Sequence, residues 1–565
     1  MRCWSETADG VAATTRTSVK TSILAGYLAT LDPEALSAAA VFLTGRPFPE
    51  ADGRTPGIGW AGLADAVLRV TGAGPDALRR AYDASSDLST AVADVFTAAG
   101  RAPDPDAEPT VVEVRDCFEA IAATAGAEAR SQILETLLAR CSPRTAAAIV
   151  KVLGGELRIG LREGFLEAAI ALAFGRPLDA VKRAGMLTGD IGRTAVLARD
   201  DRLADARMTL FHPLKCMLAS PAEDAAGIMR RLGPVAWVED KYDGIRAQLH
   251  RRGSEVRLFS RDLNDIGGQF PEIVEAARDL PWSGILDGEV LAFKDGVVLP
   301  FLQLQARLGR KQPSAGIRAQ VPVILVAWDV IGLGDGTDSD VVPLIDLPLV
   351  ERRARLEALD LPMASDGGRF ALSHLSTVDS VDGLEAAFAA ARARRNEGLL
   401  VKDPRSEYTP GRRGLGWLKL KKALATLDCV VVGVEGGHGK RHGVLSDYTF
   451  AVRHDGTGEL VTIGKAYSGL TDAELAAMTR WFEEHTVSTH GRYRAVEPSI
   501  VVEVAFDVIM RSTRHRSGFA LRFPRIARLR TDKAAADADT LATVERLHAE
   551  LGQGAEHLVT TPAPR

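Results

Sequence analysis

Glu239-Asp240-Lys241-Tyr242-Asp243-Gly244-Ile245-Arg246 decides how the rest of the chain is read. A single lysine precedes a tight Asp-Gly turn, and then Ile245, Ala247 and Leu249 alternate with Arg246, Gln248 and His250. That period of two describes a strand with one apolar and one polar face. Glu239 and Lys241 share a face if the strand already runs there. Alone, the octapeptide is equally an ordinary charged hairpin. A lysine that acts as a nucleophile must first lose its proton. With an ordinary pKa of about 10.4, roughly one molecule in a thousand is neutral near pH 7.5, a handicap of about 4 kcal/mol. Burial or neighbouring cations have to reduce it.

Working outward, Trp417-Leu418-Lys419-Leu420-Lys421-Lys422 alternates, so Lys419 and Lys421 fall on one face of a strand. Two cations aimed the same way suit a triphosphate and disfavour a protonated lysine beside them, although lysines also guard solvated edge strands. Two carboxylate segments lie between: Leu286-Asp287-Gly288-Glu289-Val290 and Glu397-Gly398-Leu399-Leu400-Val401-Lys402. Glu289 and Glu397 make sense in a phosphate site if they hold Mg²⁺, a hard cation that takes oxygen ligands; each also reads as a turn carboxylate. Arg261, after the strand-like Val256–Ser260, could grip a ribose, a phosphate or a carboxylate through its fork. Trp328 ends an apolar run and either stacks on a base or fills core. Arg522-Phe523-Pro524-Arg525 lies in a stretch, Arg511 to Lys533, with eight Lys or Arg and one Asp. Basic residues interleaved with aromatics suit a phosphate chain. Each signal is modest, but in this order they make sense as one nucleotide-transfer site.

The 565 residues exceed one core, and the texture divides them. Residues 1–20 are polar and read as a disordered tail or a start assigned too early. Residues 21–205 repeat apolar side chains at helical spacing, as in Ile133-Leu134-Leu137-Leu138, which predicts an all-α domain. Residues 206–424 alternate short strand-type runs with turns and one helix near 381–395, which predicts an α+β domain with antiparallel sheet. Residues 425–535 are short strands with one inserted helix near 472–485, which fits a small β-barrel. Residues 536–565 read as a helix and tail. The net charge of -5 announces no global attraction to nucleic acid, so any such partner depends on local basic patches. The five cysteines are scattered without a CxxC pair, which argues against a zinc module or a disulfide framework. No stretch approaches 18 uninterrupted apolar residues, so no membrane span is expected, and the cytoplasm is the default location.

With these segments in hand, the chain resembles the nucleotidyltransferase superfamily of ATP-dependent DNA ligases and mRNA-capping enzymes. Lys241-Tyr242-Asp243-Gly244-Ile245-Arg246 looks like the family's KxDGxR nucleophile motif, and the Glu397, Trp417 and Arg522 segments look like its later motifs. Phe42-Leu43-Thr44-Gly45-Arg46-Pro47, Leu157-Arg158-Ile159-Gly160-Leu161 and Pro213-Leu214-Lys215-Cys216-Met217-Leu218 are similar to the larger ligases of archaea and eukaryotes. Trp328 stands where the family usually has Phe, which leaves stacking intact. The resemblance implies a helical DNA-binding domain, an adenylation domain and an OB-fold barrel. It also implies ATP as AMP donor, Mg²⁺, and nicked duplex DNA sealed by a monomer in replication, repair and recombination. By the same analogy Lys241 attacks the α-phosphate. Glu239 and Trp328 contact adenine, Arg246 and Arg261 contact ribose or phosphate, and Arg413, Lys419 and Lys421 hold the nucleotide. Glu289 and Glu397 assist with sugar and metal, while Arg522 and Arg525 face pyrophosphate and then DNA, through a hinge near 422–428. An RNA ligase or capping-type enzyme would share the core motifs but not the helical N-terminal domain. A non-catalytic DNA-binding scaffold would not need an intact Lys241, Glu397, Lys419 and Lys421.

Overall fold

A computed structural model of the chain describes residues 1–552 apart from 86, 103–106, 156, 162, 337–339, 395, 421–424, 438–440, 442 and 507. Up to residue 205 the described residues form helices around one apolar core. Local chemistry starts several of them. Asp32 accepts hydrogen bonds from the Glu34 and Ala35 amides ahead of Pro33, and Thr110 and Glu113 cap each other's backbone reciprocally. Residues 1–20 are not a disordered tail. They carry the helix Arg2–Ala12 and the start of Thr17–Leu28. Trp4, Ala8 and Val11 recur at helical spacing and are buried, and Trp4 donates its indole N–H to the Ala39 carbonyl at 3.2 Å. Their period outweighs the polar composition that surrounds them.

The middle of the chain is built from β1 (Leu218–Ala222), β2 (Ala236–Lys241), β3 (Ile245–Arg252), β4 (Glu255–Ser260), β5 (Gly284–Lys294), β6 (Val297–Val298), β7 (Val323–Leu333), β8 (Val342–Pro343), β9 (Phe370–Leu372), β10 (Leu375–Val378), β11 (Gly398–Lys402) and β12 (Arg413–Leu420). They form two sheets. One runs β1-β12-β11-β2-β10; the other runs β4-β3-β5-β7-β8, with β6 against β5 and β9 against β7. Most pairings are antiparallel, while β1 with β12 and β7 with β9 are parallel. The short connection from Tyr242 to Gly244 passes from β2 in the first sheet to β3 in the second. Lys241 therefore ends a strand where the two sheets meet.

Beyond it, β13 (Ala425–Gly436), β14 (Leu445–Arg453), β15 (Leu460–Ala466), β16 (Thr486–His490), β17 (Tyr493–Val496), β18 (Val501–Phe506), β19 (Val508–Arg511), β20 (Phe519–Arg522) and β21 (Arg525–Leu529) enclose a core of their own. β13 pairs along its length with β14, β17 and β18, and register shifts near Val431 and Glu435 bend it. The helix Asp472–Glu484 fills one side through Leu475 and Phe482, and the helix Leu541–Gly552 adds Val544. Among the described residues no helix is long and apolar enough to cross a membrane.

Candidate active site

The site grows from the β2–β11 ladder, in which Lys241 pairs with Gly398 and Glu239 with Leu400. The Glu397 amide extends that ladder by donating to the Lys241 carbonyl at 3.1 Å. This puts the Glu397 carboxylate beside the lysine amine, with Oε2 2.5 Å from Nζ. Gly398 fits there because a Cβ would come within 2.2 Å of the Leu420 carbonyl, so close packing of β11 on β12 requires glycine. Gly244 is equally constrained: a Cβ would meet the Val290 carbonyl at 2.5 Å. Its amide donates to Glu289 Oε1 at 3.2 Å. The turn after the lysine is thus pressed against β5.

Lys241, Arg246, Arg261, Glu289, Trp328, Arg413 and Lys419 line one cavity of about 180 Å³ between the two sheets. Seven of the residues singled out from the sequence therefore converge. Glu239 is not in that wall. It is buried directly behind it, where the fully buried Lys402 reaches its Oε2 at 2.5 Å. Lys402 also lies over the Trp417 ring at 4.2 Å and the Trp328 ring at 5.8 Å. Burial pulls the Lys402 pKa below its usual range, and Glu239 works against that shift. Lys421 and part of the expected hinge, 422–424, lie outside the described residues. Arg525 is exposed at the first position of β21. Arg522 arrives from the barrel, with its guanidinium 2.6 Å from Asp243 Oδ2, two residues past the lysine.

Arg246 is held as a fork. Asp287, fully buried on β5, accepts from its Nε and NH2 at 3.1 and 2.6 Å, and the Met217 carbonyl accepts from NH1. Burial tends to lower the Arg246 pKa, but the Asp287 charge more than offsets it. Tyr408 completes the set, donating to Asp287 Oδ2 at 2.7 Å and accepting the Met217 amide at 3.1 Å. Sequence reading gave no role to Asp287, Tyr408, Lys402 or Asp243 beyond their segments. A period-two reading could have found Asp287, which shares a face of β5 with Glu289, and Lys402, which shares a face of β11 with Leu400. Tyr408 carries no such signal.

Burial pushes the Glu289 carboxyl up to about 8, despite the opposing charges of Lys241 and Arg246, and the carboxylates of Glu397 and Asp243 add to the rise. Burial also raises Asp243, and its hydrogen bond from Arg522 counters the shift. Anionic oxygens crowded beside one amine suit a hard cation. Among the described residues, no group of three or more His, Cys, Asp and Glu could hold a metal ion alone. Glu289 and Glu397 offer the oxygen donors that Mg²⁺ takes, a cation that usually keeps several waters and binds through one or two carboxylates plus substrate phosphates. A larger cavity of about 270 Å³ lies between the helices and the middle sheets. Its main charges already satisfy each other: Lys215 with Glu50 and Glu163, and Arg412 with Glu167, at 2.5 to 2.6 Å.

Three family models match the chain. They are described as DNA ligase N terminus over residues 3–171, ATP dependent DNA ligase domain over 216–421 and ATP dependent DNA ligase C terminal region over 441–533. A probable DNA ligase of Koribacter versatilis is 45% identical, with 97% of this chain and 96% of that protein covered. A probable DNA ligase of Opitutus terrae is 44% identical over 97% of this chain, which spans 62% of that longer protein. The DNA ligase of Archaeoglobus fulgidus is 34% identical over 94% of both. The solved structure Pmar-Lig_PreS3 shares the fold, with a TM-score of 0.59 at 17% identity over 93% of this chain and 99% of that one. With the lysine and its carboxylates arranged as described and three family models matched in order, the chain belongs to the ATP-dependent DNA ligases, a family that seals nicks in DNA using ATP and Mg²⁺.

Proposed function

We propose that Lys241 is the residue that carries AMP, and that the cavity around it holds ATP for three successive transfers. In the first, the neutral amine attacks the α-phosphorus. An N–P bond forms, the bond to the β-phosphate oxygen breaks and pyrophosphate leaves. Glu397, 2.5 Å from Nζ, is placed to take the amine's proton. In the second, a 5′-phosphate oxygen displaces the lysine, which regains a proton. In the third, the neighbouring 3′-hydroxyl attacks that 5′-phosphorus and AMP leaves. Phosphoryl transfer of this kind depends mainly on position and on charge neutralisation. A bound Mg²⁺ would supply further neutralisation at the phosphates, held on the protein side by Glu289 and Glu397.

Most remaining roles follow from place. Trp328 offers a flat wall for the base, and Glu239, held by Lys402 behind that wall, is assigned to the adenine side on the family resemblance alone. Arg246, locked by Asp287, and Arg261 face the ribose and phosphate side; Arg413 and Lys419 face the phosphates. Arg522 stands where a leaving pyrophosphate needs charge, and Arg525 is exposed for DNA. We assign residues 21–205 to DNA binding, 206–424 to adenylation and 425–535 to the mobile barrel. A site assembled within one chain supports a monomeric working form, and the cytoplasm is its proposed location.

The observation that carries this reading is the Lys241 amine, at the cavity wall, with the Glu397 carboxylate beside it and the barrel's Arg522 bound to Asp243, two residues past the lysine. Lys241→Ala should abolish covalent adenylate formation from labelled ATP while changing affinity for nicked duplex less than about threefold, because backbone contacts supply that affinity. Equal loss of both would refute the assigned role.

A further inference from the structure

We infer that Phe301 is a positioning residue for lysine adenylation: its ring holds the barrel's Arg522 in register beside Asp243. The inference rests on the reading of Arg522 as the group that serves pyrophosphate departure. Arg522 makes one short contact to Asp243, NH1 to Oδ2 at 2.6 Å, and a single contact leaves the plane of a guanidinium undefined. Two rings define it. The Phe301 centroid lies 4.3 Å from the Arg522 Cζ, and the Phe523 centroid lies 4.8 Å from the same atom. Both are inside the range of about 6 Å in which an aromatic face attracts a cation.

The two rings come from different parts of the molecule. Phe523 follows Arg522 in the barrel, whereas Phe301 opens the short helix Phe301–Leu304 beyond β6 in the middle region. Phe523 adopts a φ of +53°, a left-handed conformation that bulky residues avoid, and it is exposed. Backbone strain of this kind persists where the surroundings enforce it, often at functional sites. The local chain thus supplies one of the two rings beside the guanidinium, and the adenylation region supplies the other. Phe301 is the half that exists only while the barrel is docked. Removing it should weaken the step that needs the docked barrel and spare the step that does not.

A bland role is also available to Phe301, because it packs against the apolar core of the middle sheets. The two roles separate by assay. Full-length Phe301→Ala, Phe301→Leu and Phe301→Tyr would be compared with Arg522→Ala in single-turnover adenylation by labelled ATP and in sealing of a pre-adenylated nick. Loss of a partly desolvated cation–π contact predicts that Phe301→Ala and Phe301→Leu adenylate about ten- to thirtyfold more slowly. Sealing of the pre-adenylated nick should stay within about twofold, and Phe301→Tyr should restore adenylation because it keeps the aromatic face. Full adenylation by Phe301→Leu, which keeps apolar bulk without a π face, would overturn the inference, as would equal losses in both assays. Arg522→Ala is the control on the parent reading. If it shows no bias toward the first step, that reading fails; if it is biased while Phe301→Leu is normal, only the role of Phe301 fails.

Discussion

At the scale of single residues, the site mixes groups whose chemistry is visible in the sequence with groups visible only after folding. Lys241, Glu289 and Glu397 belong to the first kind, because a lysine before an Asp-Gly turn, an Asp-Gly-Glu run within a strand and an acidic residue just ahead of one are short-range patterns. Tyr408 belongs to the second, and so do the partners that Lys402 and Asp287 meet. Lys402 meets Glu239 across 163 positions, and Tyr408 meets Asp287 across 121. No local period encodes those pairings. Glu289 gives the clearest prediction at this scale. Its carboxyl is raised by burial to about 8. The folded, nucleotide-free protein therefore binds one proton more than the unfolded chain between the ordinary glutamate value, about 4.3, and the raised one. The sign follows: that proton's contribution to stability is present at low pH and is lost as pH rises toward 8. A cation or phosphate-bound metal at Glu289 requires the ionised form, so adenylation should accelerate with pH up to about 8 and then level. Glu289→Gln should be slower and should lack this limb of the pH–rate profile. A profile in Glu289→Gln that keeps the limb would assign it to another group.

At the scale of elements, strands were more legible than the spaces between them. The alternation after Ile245 and in Trp417–Leu420 describes β3 and β12 as found, and the helix expected near 381–395 occupies Val381–Ala393. What alternation could not show is that β2 and β3, neighbours in sequence, belong to different sheets. That change of sheet opens the cavity, and it depends on how closely the Tyr242–Gly244 turn packs on β5. Residues 1–20 failed in the opposite way. Composition suggested a tail, while the three buried side chains Trp4, Ala8 and Val11 form a helix stripe. Gly244→Ala tests the turn. Its Cβ would lie 2.5 Å from the Val290 carbonyl oxygen, a contact that only backbone movement relieves. A displacement on the order of 1 Å at the reacting amine predicts adenylation slower by about a hundredfold. Circular dichroism of the variant should remain unchanged. Unchanged adenylation would show that the turn does not set the position of Lys241.

At the scale of the whole molecule, the helices, the middle sheets and the barrel are joined by charged contacts and, between the helices and the middle sheets, by an apolar cluster that includes Leu187, Leu214, Trp328 and Trp417. Arg412 and Lys215 tie the middle sheets to Glu167, Glu50 and Glu163 of the helices, and Arg522 ties the barrel to Asp243. Where such pairs are partly exposed, as Lys215 with Glu163 is, they contribute little stability and are weakened by salt. The sequence showed the three textures, but its net charge gave no hint of these joints, because pairing across regions cancels in the sum. On the proposed reading, this geometry serves one bond between the Lys241 nitrogen and phosphorus. The most direct measurement is therefore to incubate the full-length protein with ATP and Mg²⁺ and without DNA, digest it under alkaline conditions that preserve phosphoramidates, and locate AMP by mass spectrometry. The account predicts AMP on the peptide containing Lys241, attached to that side chain. AMP on a different residue, or no covalent adduct in an active preparation, would contradict it.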